Sequence, residues 1–265
     1  MPLGGGMNAD FLPVAKKAAL AGAKAIQRVQ ANGFRVRYKA ARNLLTEADL
    51  ASQAAVQRVL SKAFPDHNLL MEENLDLRQG SEYTWLVDPL DGTTNFAHGF
   101  PMYAVSIGLA RGKEPLVGVV YHVPAKEWFV AVKGRGAYLN GERIHVSRVK
   151  RLERALVATG FPYKDPGVAR QTVHDIGRLW KKVEGIRRAG AAALDLCFVA
   201  CGRLDAFWEH RLSPWDLAAG QLVLREAGGK ATDFMGRPVD AFADCVVASN
   251  KAIHLPLLKA LGGRK

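Results

Sequence analysis

Acidic residues recur in four short segments: Thr46-Glu-Ala-Asp49, Met71-Glu-Glu-Asn74, Asp88-Pro-Leu-Asp91 and Pro214-Trp-Asp216. Each has an ordinary structural use. Thr46-x-x-Asp49 and Ser213-x-x-Asp216 match the capping box that opens helices, and Glu72 and Glu73 suit a solvated surface. Asp88-x-x-Asp91 is harder to dismiss. Asp88 closes the apolar run Trp85-Leu-Val-Asp88, and a carboxylate at the end of a buried run needs a compensating charge. Two acids held in one turn form a hard-oxygen site of the kind Mg²⁺ prefers. Gly92-Thr93-Thr94 follows at once. A helix opening there would turn unpaired amides and the positive end of its dipole toward an anion. Cation ligands beside an anion cradle are the parts of a phosphoryl-handling site.

Rival signatures are missing. The chain has no GxxxxGK[ST], no HExxH and no Ser or Cys nucleophile motif. Gly134-Arg-Gly136 lacks the third glycine of a dinucleotide fingerprint and is followed by a hairpin in place of a helix. Cys197 and Cys201, four apart in an apolar helical pattern, read as a buried helix face, because no partner Cys or His follows at zinc spacing.

The elements that must position these residues divide into two halves. Helical periodicity covers residues 9–30 and 47–63, the second opened by Thr46. Residues 68–72 and 84–88 are short apolar strands. Three β-branched and aromatic runs follow, "YAVSIGLARG", "PLVGVVYHV" and "EWFVAVKG", and Asn140-Gly141 signals a hairpin turn. The second half alternates. "ALVATG", "EGIRR", "LDAFWE" and "CVVASN" read as strands, with helices over 167–182, in "GAAALDLCFVACG", in "SPWDLAAGQLVLREAGG" and at the end of the chain. Ser213 and Pro214 are the N-cap and first residue of the third of these helices. Contiguous strands followed by alternation predict a layered mixed α/β (α+β) fold.

The 265 residues are 49% hydrophobic and 23% charged, which suffices for a large core. No apolar run approaches the ~20 residues of a membrane span. The opening MPLGGGMNAD lacks the basic start and apolar centre of a signal peptide, and its glycines read as an unstructured leader. Three cysteines fit a reducing cytoplasm better than a disulfide framework. The formal charge of +12 permits anionic partners: phosphorylated substrates, RNA or acidic proteins.

"WLVDPLDGTTNF", then "FPMYAVSIGLA" and later "PWDLAAGQLVLREAGG", resemble the inositol monophosphatase family, and "ATGFPY" and "RRAGAAALDLCFVACGRLDAFWE" bring the chain nearest its bacterial members. The resemblance spans about Lys39 to Asn250. It implies an αβαβα sandwich, hydrolysis of phosphate monoesters with two to three Mg²⁺ ions, lithium sensitivity and usually a homodimer. The whole chain, 1–265, would be one catalytic unit. Residues 8–150 would hold most metal ligands, and 151–265 would contribute Asp216 and the substrate contacts.

Carried over residue by residue, the resemblance makes Glu72, Asp88, the Leu90 carbonyl, Asp91 and Asp216 metal ligands. It makes Asp49 and Thr93 the pair that orients the attacking water, and the amides of Gly92 and Thr93 the phosphate holders. Lys39 resembles a mobile lysine near the metals. Gly190-Ala191-Ala192 and Glu209 fall where the family contacts the sugar-like alcohol. Asn43 and Ala191 depart from the usual Asp and Ser/Thr. The implied substrate is inositol 1-phosphate or a similar polyol phosphate. Fructose 1,6-bisphosphate, histidinol phosphate, NADP and 3′,5′-bisphosphonucleotides are alternatives, since only the alcohol-side contacts separate them. Some bacterial relatives bind RNA polymerase or influence ribosomal RNA synthesis, and a basic surface permits a similar RNA polymerase or RNA contact here.

Overall fold

The computed structural model describes residues 7–40, 43–161 and 165–263, without the side chains of 7–10 and 37–44. Most of the expected leader therefore lies outside the described residues; its last four residues belong to the first helix, α1 (Met7–Asn32). On the buried face of α1, Ala15, Ala18, Ala19 and Ala23 recur at helical spacing. Their small side chains let it lie close to α2 (Glu47–Ala63) and to the sheet beneath. Between the two helices runs an antiparallel arm, β1 (Val36–Ala40) and β2 (Asn43–Thr46).

The larger sheet has eight strands: β3 (Asn68–Met71), β4 (Leu75–Leu77), β5 (Tyr83–Asp91), β6 (Ala104–Arg111), β7 (Glu114–His122), β8 (Glu127–Val132), β9 (Ala137–Leu139) and β10 (Glu142–Arg143). Their order is β10-β9-β8-β7-β6-β5-β3-β4, antiparallel throughout except for β3 beside β5. A short helix, α3 (Thr93–Ala97), follows β5. The smaller sheet comprises β11 (Leu156–Thr159), β12 (Gly185–Arg187), β13 (Ala206–His210), β14 (Lys230–Thr232) and β15 (Cys245–Ser249), in the order β12-β11-β13-β15-β14. Its helices are α4 (Pro166–Leu179), α5 (Ala192–Ala200), α6 (Pro214–Glu226) and α7 (His254–Ala260).

Three apolar clusters define the layers. One joins α1 and α2 to the outer face of the large sheet through Trp85, Val87, Ile107 and Leu109. A second fills the middle, around α5 and α6, between the two sheets. The third packs α4 and α7 on the far face of the small sheet. This is the expected αβαβα sandwich. Sheets covered on both faces need apolar side chains on both, and β6 and β7 are buried almost end to end. The cross-strand partners Gly108 and Gly118 lie directly under α6. A Cβ on Gly118 would fall 2.6 Å from the Ala219 carbonyl oxygen, so these glycines let α6 settle on the sheet and fix where its first turn, with Asp216, stands.

Several sequence boundaries move. β5 does not stop at Asp88; it continues through Pro89 to Asp91, with its pairing to β6 shifted between Asp88 and Asp91. The two acids therefore sit on an irregular strand end, where a proline is tolerated because the ladder is already interrupted. α4 ends at Leu179, earlier than the pattern to residue 182 suggests. The arm β1–β2 and the short strands β4 and β14 carry too few residues to show a period. Asn140 and Gly141 do form a hairpin between β9 and β10, both with positive φ (52° and 93°).

Candidate active site

Strand register assembles the acidic cluster. β3 runs parallel to β5 with Met71 opposite Val87, so the next residues, Glu72 and Asp88, emerge side by side; the Glu72 amide donates to the Val87 carbonyl at 3.2 Å. Across the sheet, Asp88 faces Ser106 on β6, and the Ser106 hydroxyl donates to the Trp215 carbonyl at 3.3 Å. That contact brings the first turn of α6, with Asp216, onto the same sheet end. Asp88 accepts the Leu90 amide at 2.9 Å.

Burial raises the Asp88 carboxyl well above the ordinary carboxylate range, and the charges of Glu72, Asp91 and Asp216 raise it further; the Leu90 amide opposes them. Asp91 is pushed up to about 7 by burial, against the Ala193 amide that favours its charged form, with Glu72 raising it again. The middle layer explains where Asp91 points. Ala191, the residue before α5, has no side-chain oxygen to cap the helix. Asp91 fills that role from the other sheet, accepting the Ala193 amide at 2.9 Å.

Asp49 uses its two oxygens for two purposes. Oδ2 accepts the Thr46 amide and the Thr46 hydroxyl, both at 2.7 Å, and closes the capping box of α2. Oδ1 accepts the Thr93 hydroxyl at 2.8 Å. The Leu90 carbonyl lies 3.1 Å from the same hydroxyl. The Ser52 hydroxyl, donating to the Pro89 carbonyl at 2.7 Å, ties α2 to this strand end. The second capping box also forms: Asp216 Oδ2 accepts the Ser213 amide at 2.7 Å. Capping occupies one oxygen of each of these carboxylates, and in Asp49 the other accepts Thr93.

Gly92 begins α3 in the left-handed region (φ 92°), and a Cβ there would lie 2.6 Å from the Met102 carbonyl. Only glycine satisfies both conditions. Thr93 is the first helical residue, its amide among those a helix start leaves without a partner in the helix.

The residues expected to contact the alcohol, Glu209 and the Gly190–Ala191 turn, lie in the second half of the chain. Glu209, the penultimate residue of β13, lies so close to Gly160 that a Cβ on that glycine would meet its carboxylate. Burial holds the Glu209 carboxyl well above its ordinary range, Asp216 and Asp195 raise it, and Arg188 opposes them. The turn at Gly190 (φ 84°) and Ala191 meets α3 through Asn95. The Asn95 amide group donates to the carbonyls of Met102 (2.7 Å) and Ala189 (2.8 Å), with Gly190 at 3.4 Å.

Asn95, Gly160, Arg188 and Asp195 were not picked out from the sequence. Asn95 reaches Ala189 across 94 residues, Gly160 meets Glu209, Asp195 feels Asp91 and Arg188 bears on Glu209, pairings that no local spacing reveals. Lys39 belongs to β1, but its side chain lies outside the described residues, as does that of Asn43. Cys197 is buried on α5 and its thiol is pushed up by burial, as an inert core residue should be.

The donors suit a hard divalent cation. All are oxygens, and buried Asp88 is flanked by three further carboxylates whose charge it must share. Among the described residues no three His, Cys, Asp or Glu side chains close into a ready-made metal cage; the fit rests on donor type and charge. Among the same residues no helix is long and apolar enough to cross a membrane.

A layered α/β enzyme with a carboxylate cluster beside a glycine–threonine helix start defines a phosphomonoesterase class. The family model for inositol monophosphatases matches residues 7–263, and the chain belongs to that family. It is 42% identical over 259 residues to inositol monophosphatase 2 of Solanum lycopersicum, covering 95% of this chain and 98% of that one. It is 43% identical over 231 residues to Nus factor SuhB of Pseudomonas aeruginosa, covering 85% of each. The crystal structure of extragenic suppressor protein suhB from Bartonella henselae superposes with a TM-score of 0.89 at 40% identity, covering 94% of this chain and 97% of that one. The protein is accordingly a phosphoric monoester hydrolase of the inositol monophosphatase type.

Proposed function

We propose that the enzyme hydrolyses inositol 1-phosphate, or a polyol phosphate like it, to the free alcohol and phosphate. The observation that carries this is the Asp49–Thr93 pair, 2.8 Å apart, at the edge of the acidic strand end. Glu72, Asp88, the Leu90 carbonyl, Asp91 and Asp216 are the proposed ligands of two to three Mg²⁺ ions. Bound Mg²⁺ supplies Lewis acidity, making water a better nucleophile and offsetting charge on the phosphoryl oxygens.

The rest of the mechanism belongs to the chain. The Thr93 hydroxyl donates to Asp49, so its oxygen is left to accept a hydrogen bond from the attacking water and aim it at phosphorus. Asp49, held by two bonds from Thr46, draws the proton through Thr93. The amides of Gly92 and Thr93 stabilise the phosphoryl oxygens. Asp216 orients the water that protonates the departing alkoxide. Glu209 and the Gly190–Ala191 turn address the hydroxyls of the alcohol. Lys39 completes the site as the mobile lysine near the metals. Residues 8–150 and 151–265 act as one catalytic unit, because the second half supplies Asp216 and the alcohol contacts.

A phosphate-release screen over inositol 1-phosphate, fructose 1,6-bisphosphate, histidinol phosphate, NADP and a 3′,5′-bisphosphonucleotide tests the reading, with Mg²⁺, without it, and with Li⁺ added. Mg²⁺-dependent release that is greatest for inositol 1-phosphate and is inhibited uncompetitively by Li⁺ is expected. Release without any divalent ion would overturn it. We further place the enzyme in the cytoplasm as a homodimer. The likeness to a Nus factor favours a second reading alongside catalysis, a contact with RNA polymerase or RNA through the basic surface.

A further inference from the structure

Side chains alternate across β13, the central strand of the small sheet. Phe207 packs in the middle layer with α5 and α6. Trp208 packs on the opposite face with α4 and α7. Glu209 follows Phe207 into the active site. His210 follows Trp208, away from it, onto α4.

There the imidazole is gripped. His210 Nε2 lies 2.9 Å from Asp175 Oδ2. The ring stacks on Phe234 with centroids 3.9 Å apart and planes 6° from parallel. Asp175 is fully buried. Its other oxygen accepts the Gln171 side-chain amide at 3.0 Å and stands 3.9 Å from the Arg178 guanidinium. Arg211, the next residue along, takes the left-handed conformation (φ 60°), uncommon for a side chain with a Cβ. Its guanidinium is 3.5 Å from Asp165, the N-cap of α4, which accepts the amides of Gly167 and Val168 at 3.0 and 3.1 Å. The strand end behind Glu209 is therefore fastened to one outer helix at two points.

A buried carboxylate–imidazole pair is a poor choice for stability alone, since apolar side chains of similar volume usually do as well. Its directionality offers what apolar packing does not: one register between α4 and the end of β13. We propose that Asp175 and His210 are positioning residues that act through Glu209, and that this pair sets how well the enzyme distinguishes polyhydroxylated alcohols from plain ones. The inference rests on the reading of Glu209 as a contact to substrate hydroxyls.

Steady-state kinetics on inositol 1-phosphate and on p-nitrophenyl phosphate, which has no ring hydroxyls, test it. His210→Ala should raise KM for inositol 1-phosphate roughly three- to tenfold and leave kcat/KM for p-nitrophenyl phosphate unchanged. His210→Gln, whose amide nitrogen can take the place of Nε2, should restore most of the loss. Thermal melts at the assay pH establish that each variant is folded. If His210→Ala is not, Asp175→Asn, which keeps the shape and one acceptor, carries the comparison. In a Glu209→Gln background the His210 substitution should have no further effect. Additive losses, or equal losses on both substrates, would overturn the positioning role while leaving Glu209 a substrate contact. A Glu209→Gln enzyme that matches wild type on inositol 1-phosphate would overturn the reading of Glu209, and this inference with it.

Discussion

At the scale of single residues, the site depends on which atom of each residue is used. Asp88 contributes charge from its side chain, whereas Leu90 is proposed to contribute only its carbonyl. Asp88→Asn removes a proposed metal ligand, worth several kcal/mol of transition-state stabilisation in that role, so kcat should fall roughly a thousandfold or more. The metal-free Asp88→Asn protein should melt no lower than wild type, because the lost charge is one that burial and its neighbours oppose. Leu90→Ala should keep most activity. Equal kinetic losses in the two variants would refute the assignment. Thr93→Ala should lower kcat by roughly a hundredfold or more while moving KM little, since the role proposed for the hydroxyl is to orient water and not to grip the alcohol. A change in KM alone would mean that Thr93 holds substrate. Much of this was legible in the sequence. Thr46-x-x-Asp49 and Ser213-x-x-Asp216 announced helix starts, and Asp88-x-x-Asp91 announced a buried charge. Asn95 and Gly160 were silent, because an Asn and a Gly among turn residues look ordinary until their distant partners, Ala189 and Glu209, are known.

At the scale of elements, long periodic segments read well and short ones did not. α2 ran over the same residues in sequence and structure, since a cap and an apolar stripe agree on it. β14 spans three residues, and its place is held by tertiary contacts. One of these makes a prediction. His254 opens α7 and joins it to β14 and β15. The Thr232 hydroxyl donates to the Asp233 carbonyl at 2.8 Å, so its oxygen accepts from His254 Nε2–H at 2.9 Å. In the neutral ring, Nδ1 accepts the Ser249 hydroxyl at 2.8 Å. Burial pulls the imidazole down to about 4, with Lys230 adding to the effect. The unfolded chain takes up this proton from about pH 6.5 downward, and the folded chain only near pH 4. Stability from this residue is therefore intact above pH 6.5 and lost as the pH falls toward 4, by up to about 3 kcal/mol. Urea titrations of wild type and His254→Gln between pH 7.5 and 4 should show the gap between them narrowing with acid. A constant gap would mean that His254 is protonated in the folded state.

At the scale of the whole molecule, the layers decide what catalysis and the charge of +12 can each do. The acidic strand end is internal to the sandwich, set between α2, α5 and α6, whereas a macromolecular contact must use the outside. Catalysis and any binding to RNA polymerase should therefore separate. Charge alone makes a basic protein adhere to nucleic acid, and such adhesion weakens steeply with salt: with 6–10 phosphate contacts, about 10³–10⁵ in affinity between 50 and 200 mM. A specific contact that buries apolar surface has a shallower dependence. The chain immobilised at 50 and 200 mM salt should retain purified RNA polymerase at both, and the catalytically disabled Asp88→Asn variant should retain as much as wild type. Release at 200 mM, or its abolition by nuclease, would reduce the basic surface to non-specific attraction and leave hydrolysis as the function the fold supports. Loss of binding in Asp88→Asn alone would instead tie the partner to the acidic site, and the separation by layers would be wrong.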